Sequence, residues 1–330
     1  MTTTSVVEHL FTIVDRTASA LKGERSISYL EAIAETGENL FHGEILQTEL
    51  SEMTKKRLEK EYKQVDVSQL QREDIRKSLQ LAILKGMKEG IQANHQMTPD
   101  SVGLLVSYLV SKFTEKQDSF SILDPAVGTG NLLTTILNQN SRKEINSFGI
   151  DVDDLLVKLA YFNSNLGSHP VQFFNQDSLE QLFIEQVDVT ICDLPVGYYP
   201  NDRVANNYQL KAEEGHSYAH HLFIEQSLNY TKEGGYLFFI VPNFLFESEQ
   251  APQLNQYIKE HSIIQGLIQL PLSMFKNEQS AKSIFIVQKK GADVAIPKQA
   301  LLVNLPKLSN KEAMQGILQR IDSWFQTEKQ

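Results

Sequence analysis

The chain has 330 residues, 41% hydrophobic and 22% charged, with a formal net charge of −10. That composition supports a sizeable core in one large or two smaller domains and excludes a disordered chain, while the acidic balance argues against an autonomous, tight binder of a phosphate backbone. No apolar run reaches the length of a membrane span, and the single cysteine, Cys192, suits a buried side chain in a reducing compartment; a cytoplasmic protein without membrane contact is expected.

Across residues 2–91 apolar positions recur at helical spacing, as in Val6, Leu10, Ile13 and Val14 and again in Leu79, Leu81, Ile83 and Leu84. This predicts an all-helical N-terminal domain over residues 1–92, followed by a second domain over residues 93–330. The charged run at residues 55–61 places opposite signs three and four positions apart, the pattern of a solvated helix face. Residues 90–94 read as a hinge. Thr98, Pro99 and Asp100 then supply a cap, a first helical residue and an anion in the first turn.

An apolar strand over residues 120–123 runs into Asp124, and a turn with Gly128 and Gly130 leads to a helix start at Asn131. Strand, tight turn and helix N-terminus bring backbone amides close to a ligand. Asp124 would repel phosphate there, so the turn favours a cationic, phosphate-free ligand such as S-adenosyl-L-methionine, with its ammonium and sulfonium. Two absences agree: no G-x-x-x-x-G-K-[ST] occurs, and Leu133 stands where G-x-G-x-x-G needs its third glycine.

Further strands end at Asp151, Asp177 and Asp193, alternating with helices, which predicts a mostly parallel, doubly wound sheet with four acids at the carboxyl ends of its strands. Asp151 lies 21 residues beyond Gly130, a spacing that suits hydrogen bonds from ribose hydroxyls. Asp153 and Asp154 open the next helix. Residues 200–215 are polar and turn-rich, as in a mobile loop over a site, and residues 216–230 read as a helix. His216 and His220 lie one turn apart but lack a third ligand, so with His221 they read as packed or surface side chains, and no metal is expected.

Later strands fall at residues 234–242, 263–270 and 283–288, with a closing strand near residues 301–305 and a helix capped by Ser309 and Glu312. Phe238 and Phe239 read as core, and Phe244, just past a strand end, as a pocket residue. Lys276, Lys282, Lys289 and Lys290 read as solvated strand ends and loops.

Over residues 96–289 the chain resembles the class I S-adenosylmethionine-dependent methyltransferases, and among them the N6-adenine DNA enzymes of the type I modification-subunit kind. Gln96-Met97-Thr98-Pro99 resembles the segment that holds the methionine end of the cofactor. Asp124-Pro125-Ala126-Val127-Gly128-Thr129-Gly130-Asn131 is close to the family's D-P-A-x-G-T-G loop; Asp151 with Val152 resembles the ribose-binding segment, and Asp177-Ser178 the adenine-binding one. The resemblance implies a Rossmann-like, doubly wound, mostly parallel seven-stranded methyltransferase sheet and S-adenosyl-L-methionine as cofactor.

Where that family has N-P-P-[FY], this chain has Asp193-Leu194-Pro195-Val196. The resemblance implies Asp193, also near the cofactor, and the Leu194 carbonyl as acceptors for the hydrogens of an exocyclic amine. Pro195 would shape the turn, and Tyr198 or Tyr199 would replace the missing aromatic at Val196. The implied reaction is methyl transfer to N6 of adenine in DNA, with alternatives in RNA, in a protein side-chain amide, or in a cofactor-binding interaction protein that has lost catalysis. Only about forty residues follow Lys289, too few for a target-recognition domain, so a separate specificity partner is expected.

Overall fold

Serines start three of the N-terminal helices. Ser5 and Ser28 each accept an amide three residues on while Glu8 and Glu31 reach back to the cap amide, closing capping boxes on α1 (Val6–Arg25) and α2 (Tyr29–His42). Ser51 caps α3 (Glu52–Tyr62), and α4 (Arg72–Glu89) follows. The computed structural model describes residues 5–89, 97–292 and 294–329. Gln96 and the hinge expected at residues 90–94 lie outside the described residues.

The chain forms two compact units, Met1–Ser107 with Val127–Arg142 and Ser147–Gln176, and Tyr108–Ala126 with Lys143–Asn146 and Asp177–Gln330. In the first, Leu10, Val14, Leu21, Ile33, Leu58, Leu79 and Ile83 make one core with Leu159 and Phe162 of α7 (Asp154–Leu166). Gly37 permits a close approach of α2 to α7, since a Cβ there would lie 2.9 Å from that of Phe162. The charged run on α3 is a solvated face, with only Leu58 and Thr54 of that helix buried.

Helix α5 (Asp100–Phe113) begins at Asp100. The Pro99 carbonyl accepts the amide of Gly103 at 3.0 Å, so Pro99 takes the cap position expected of Thr98. The first unit also holds α6 (Asn131–Gln139), β2 (Glu144–Asp151) from Ser147 onward, and β3 (Val171–Asn175), parallel to β2 with Asp151 opposite Asn175.

In the second unit β1 (Ser119–Asp124), β4 (Val187–Asp193) and β5 (Thr231–Pro242) run parallel, so Asp124, Asp193 and Pro242 end on one edge. The antiparallel β7 (Lys282–Lys289) lies between β5 and β6 (Ser262–Gln269), and β8 (Leu301–Asn304) adds parallel to β6. The sheet order is β3-β2-β1-β4-β5-β7-β6-β8, eight strands rather than seven, because the closing strand joins the edge and buries Leu301 and Val303. Helices α8 (Asp202–Ala205), α9 (Ala219–Asn229), α10 (Ala251–His261) and α11 (Lys311–Glu328) complete it.

Two helix starts differ from expectation. For α11 the cap is Asn310, not Ser309: its side chain accepts the Ala313 amide at 3.1 Å and its carbonyl that of Met314 at 3.0 Å. Helix α9 starts at Ala219 because residues 216–218 are drawn into extended pairing, with Tyr199 N donating to Ser217 O at 2.8 Å.

Candidate active site

Three of the four acids do the same local work, although β3 stops at Asn175, short of the Asp177 at which it was expected to end. Asp124 Oδ1 accepts the Ala126 amide at 3.2 Å, Asp151 Oδ1 that of Asp153 at 3.0 Å, and Asp177 Oδ1 that of Leu179 at 2.9 Å. Each carboxylate turns the chain by bonding two residues ahead. Asp153 in turn caps α7 through the Leu155 and Leu156 amides.

In the first unit, the second oxygen of Asp151 accepts the Gly128 amide at 2.9 Å, and Val127 N donates to Ile150 O at 2.9 Å. The glycine turn is thereby fixed to the end of β2. Gly128 has φ 52° and a Cβ there would meet nothing within 4 Å, whereas Gly130, at φ 75°, faces Ala160 with a Cβ separation of 3.1 Å. One glycine leaves open space at the turn and the other permits packing against α7. Val152, beside Asp151, is exposed.

Asn131 and Thr98 are buried and joined, Asn131 Nδ2 donating to Thr98 O at 3.1 Å. The side chain of Asn131 thus works inside the protein, and its Oδ1 accepts from Arg76 Nη1 at 2.8 Å. Met97 packs on the helical core. Asn175 Nδ2 donates to the carbonyls of Asp151 and Val152 at 3.1 and 3.0 Å, holding the segment that the resemblance assigns to the ribose.

In the second unit, Asp177 Oδ2 accepts the Tyr199 hydroxyl at 2.5 Å. Burial and this carboxylate both push the Tyr199 pKa up. Tyr199 is therefore an internal strut and not a stacking surface. Ser178 is buried with its hydroxyl on Pro125 O. Asp193, at the end of β4, is held by Lys282 at the start of β7, Nζ to Oδ1 2.6 Å, with both side chains about four-fifths buried by their exposures of 22% and 19%.

Leu194 is buried with its amide on Ile240 O at 3.2 Å, which anchors the Asp193-Leu194-Pro195 turn to β5. Beyond it Val196 and Tyr198 are exposed. Tyr198 stacks on Tyr218 with ring centroids 5.0 Å apart and planes 13° from parallel. The Tyr218 ring also lies near His220 and His221, whose pKa values burial lowers to about 4 and about 3, His220 adding to the second. Both imidazoles are neutral at pH 7, while His216 lies exposed beside Asp202 at 3.0 Å.

Residues 200–215 are fastened down rather than loose. Tyr208, Leu210 and Ala205 are core, Tyr208 OH donates to Leu179 O at 2.6 Å, and the Glu225 carboxylate accepts the amides of Gln209 and Leu210 at 2.9 and 2.8 Å. A polar, turn-rich composition misled because the anchoring carboxylate comes from α9. Phe238 and Phe239 are core, as expected, and Phe244 is exposed. Lys282, expected as a solvated strand end, is instead paired with Asp193, 89 residues away, and sequence reasoning missed the contact of Arg76 with Asn131, 55 residues away.

A family model for N-6 DNA methylase matches residues 82–326, and one for the YtxK N-terminal helical domain matches residues 8–87. The chain is 50% identical over 321 residues to the uncharacterized protein YtxK of Bacillus subtilis (strain 168), covering 97% of this chain and 98% of that one. It is similar to the crystal structure of a candidate class I S-adenosylmethionine-dependent methyltransferase of Listeria monocytogenes, with TM-score 0.91 and 47% identity over 97% of this chain and 99% of that one. A type I restriction-modification methyltransferase subunit of Streptococcus thermophilus shares the fold, with TM-score 0.67 at 18% identity over 95% and 74% of the two chains. Among the described residues no helix is long and apolar enough to cross a membrane.

Proposed function

We propose, for a chain that belongs to the N-6 DNA methylase family, that it binds S-adenosyl-L-methionine and methylates N6 of adenine in DNA. The donor set suits that cofactor: the turn is open at Gly128, the Asp151 carboxylate holds the Gly128 amide, and Asp124 precedes the turn in the sequence, carboxylates that welcome a cation and repel phosphate. Gly128, Gly130 and the Met97–Thr98 segment would receive the methionine end, Asp151 and Val152 the ribose, and Asp177 and Ser178 the adenine. When bound, the cofactor supplies an electrophilic methyl group on its sulfonium.

The chain's own residues have the harder task. The acceptor nitrogen's lone pair is delocalised into the ring, so its hydrogens must be held by acceptors while the nitrogen faces the methyl group. Asp193 and the Leu194 carbonyl are those acceptors, Pro195 fixes the turn, and Tyr198, stacked on Tyr218 by one face, offers the base the other. The observation that carries this reading is the Asp193-Leu194-Pro195 turn at the carboxyl end of β4, anchored on β5, with Tyr198 exposed beyond it. With a net charge of −10, engagement of a DNA site would rely on a separate specificity partner.

A second reading has its own support. Lys282 already occupies Asp193 Oδ1 at 2.6 Å, and Val196 offers no aromatic face, as in a protein that keeps the cofactor and has lost turnover. Incubation with methyl-labelled cofactor and separate DNA, RNA and protein pools distinguishes them. The proposal expects label in DNA as N6-methyladenine, abolished in Asp193→Ala. Label in RNA or protein would move the acceptor, and cofactor binding without label in any pool would leave the second reading.

A further inference from the structure

Arg76, on α4 of the helical region, is 1% exposed. A guanidinium cannot lose its charge, and burying it is costly unless its donors are met. Here they are met. Nε and Nη2 form a fork on Glu73 at 2.9 and 2.7 Å, Nη2 pairs with Asp100 Oδ1 at 2.6 Å, and Nη1 donates to Asn131 Oδ1 at 2.8 Å.

The partners lie where they can matter. Asn131 is the first residue of α6 and follows directly on Gly130; Asp100 opens α5, and Thr98 just before it accepts from Asn131. Glu73 also takes Asn138 Nδ2 at 3.0 Å, near the other end of α6. Helix α6 is therefore clamped to α4 at both ends. Burial would raise the Glu73 pKa, but Arg76 and Asn138 hold it down at about 2, so the clamp stays charged at all ordinary pH.

We propose that Arg76 is a positioning residue through which the helical region sets the conformation of the glycine turn and hence the affinity for S-adenosyl-L-methionine. The role in affinity rests on the cofactor reading above; the mechanical coupling does not. A forked cation meets Glu73 with two nitrogens and Asn131 with the third, a geometry that a lysine, with one nitrogen, cannot reproduce. The consequence is linkage: whatever displaces α4 weakens cofactor binding, and cofactor binding stiffens α4.

The test compares Arg76→Lys with Leu79→Ala, a core substitution on the same helix with no role in the clamp, in the full-length protein. Hydrogen exchange at residues 127–133 without ligand and calorimetric titration with S-adenosyl-L-methionine are measured well below both melting temperatures. Arg76→Lys is expected to speed exchange at the turn and to raise Kd about tenfold, as couplings through packed networks do. Leu79→Ala should lower Tm with neither effect. Equal behaviour of the two variants overturns the proposal.

If wild type binds no cofactor, the cofactor reading fails while turn exchange still judges the coupling. If Arg76→Lys does not fold, Glu73→Gln serves in its place, since it loosens the fork that aims Nη1 at Asn131. Unchanged turn exchange in that variant overturns the proposal.

Discussion

Gly128→Ala and Gly130→Ala should damage the protein in different ways. Both glycines have positive φ, 52° and 75°, and an L-residue there costs about 1 kcal/mol. At Gly130 a methyl group would also sit 3.1 Å from the Ala160 Cβ and 3.2 Å from its Cα. Backbone cannot yield as a flexible side chain does, which adds about 1–3 kcal/mol of overpacking. Gly130→Ala should therefore lose about 2–4 kcal/mol and Gly128→Ala about 1 kcal/mol. The Gly128 methyl group instead enters the open space proposed for the ligand. Urea denaturation gives the stabilities, and calorimetry with S-adenosyl-L-methionine, at urea-free conditions where both variants are folded, gives the affinities. Gly128→Ala should weaken binding at least tenfold, about 1.4 kcal/mol. Wild-type affinity in Gly128→Ala would remove the turn from the cofactor site.

Lys282→Met should cost about 1–3 kcal/mol, between an exposed and a buried pair, because it leaves the Asp193 carboxylate without its ammonium. Combined with Asp193→Asn the loss should shrink, so additive losses in denaturant melts would argue against the pair. Acid should act through buried imidazoles. Burial lowers the pKa of His169 and His220 to about 4 and of His221 to about 3, with Arg72 adding at His169 and His220 adding at His221. Depressed folded-state values mean that the stability is fully present above the unfolded value of about 6.5 and is lost as pH falls through the window below it, by up to about 1.4 kcal/mol per pH unit for each ring. Melts at pH 7 and pH 5 should show it, His221→Leu should flatten the profile by one ring, and a wild-type profile flat over that interval would contradict it.

What was legible in the sequence is what neighbours decide. A strand running into an aspartate, a turn with two glycines and a helix start could be read from Asp124 to Asn131, and β2 ends at Asp151 as its apolar run predicts. The helix start at Ala219 and the fastening of residues 200–215 were not legible, because both depend on a partner brought by the fold: Tyr198 pairs with Tyr218, and Glu225 reaches back to Gln209 and Leu210. Tyr199 could be chosen from sequence as a stacking residue as readily as Tyr198. Only burial, and the hydroxyl bonded to Asp177, separates them.

The departure at Asp193 shows how a motif can mislead when it is read without its sheet. Taken alone, aspartate in place of asparagine puts a negative charge where a neutral amide offers one oxygen acceptor and one N–H donor. The chain answers from β7: Lys282 pairs with Pro242 across the antiparallel ladder, next to where β4 and β5 run parallel with Asp193 opposite Ile240. That register brings Nζ to 2.6 Å from Oδ1. The pair has no net charge and presents a carboxylate oxygen beside N–H donors. Charge neutrality at the end of β4 is thus shared between two residues 89 positions apart, and replacing either one alone exposes a charge that the other was balancing.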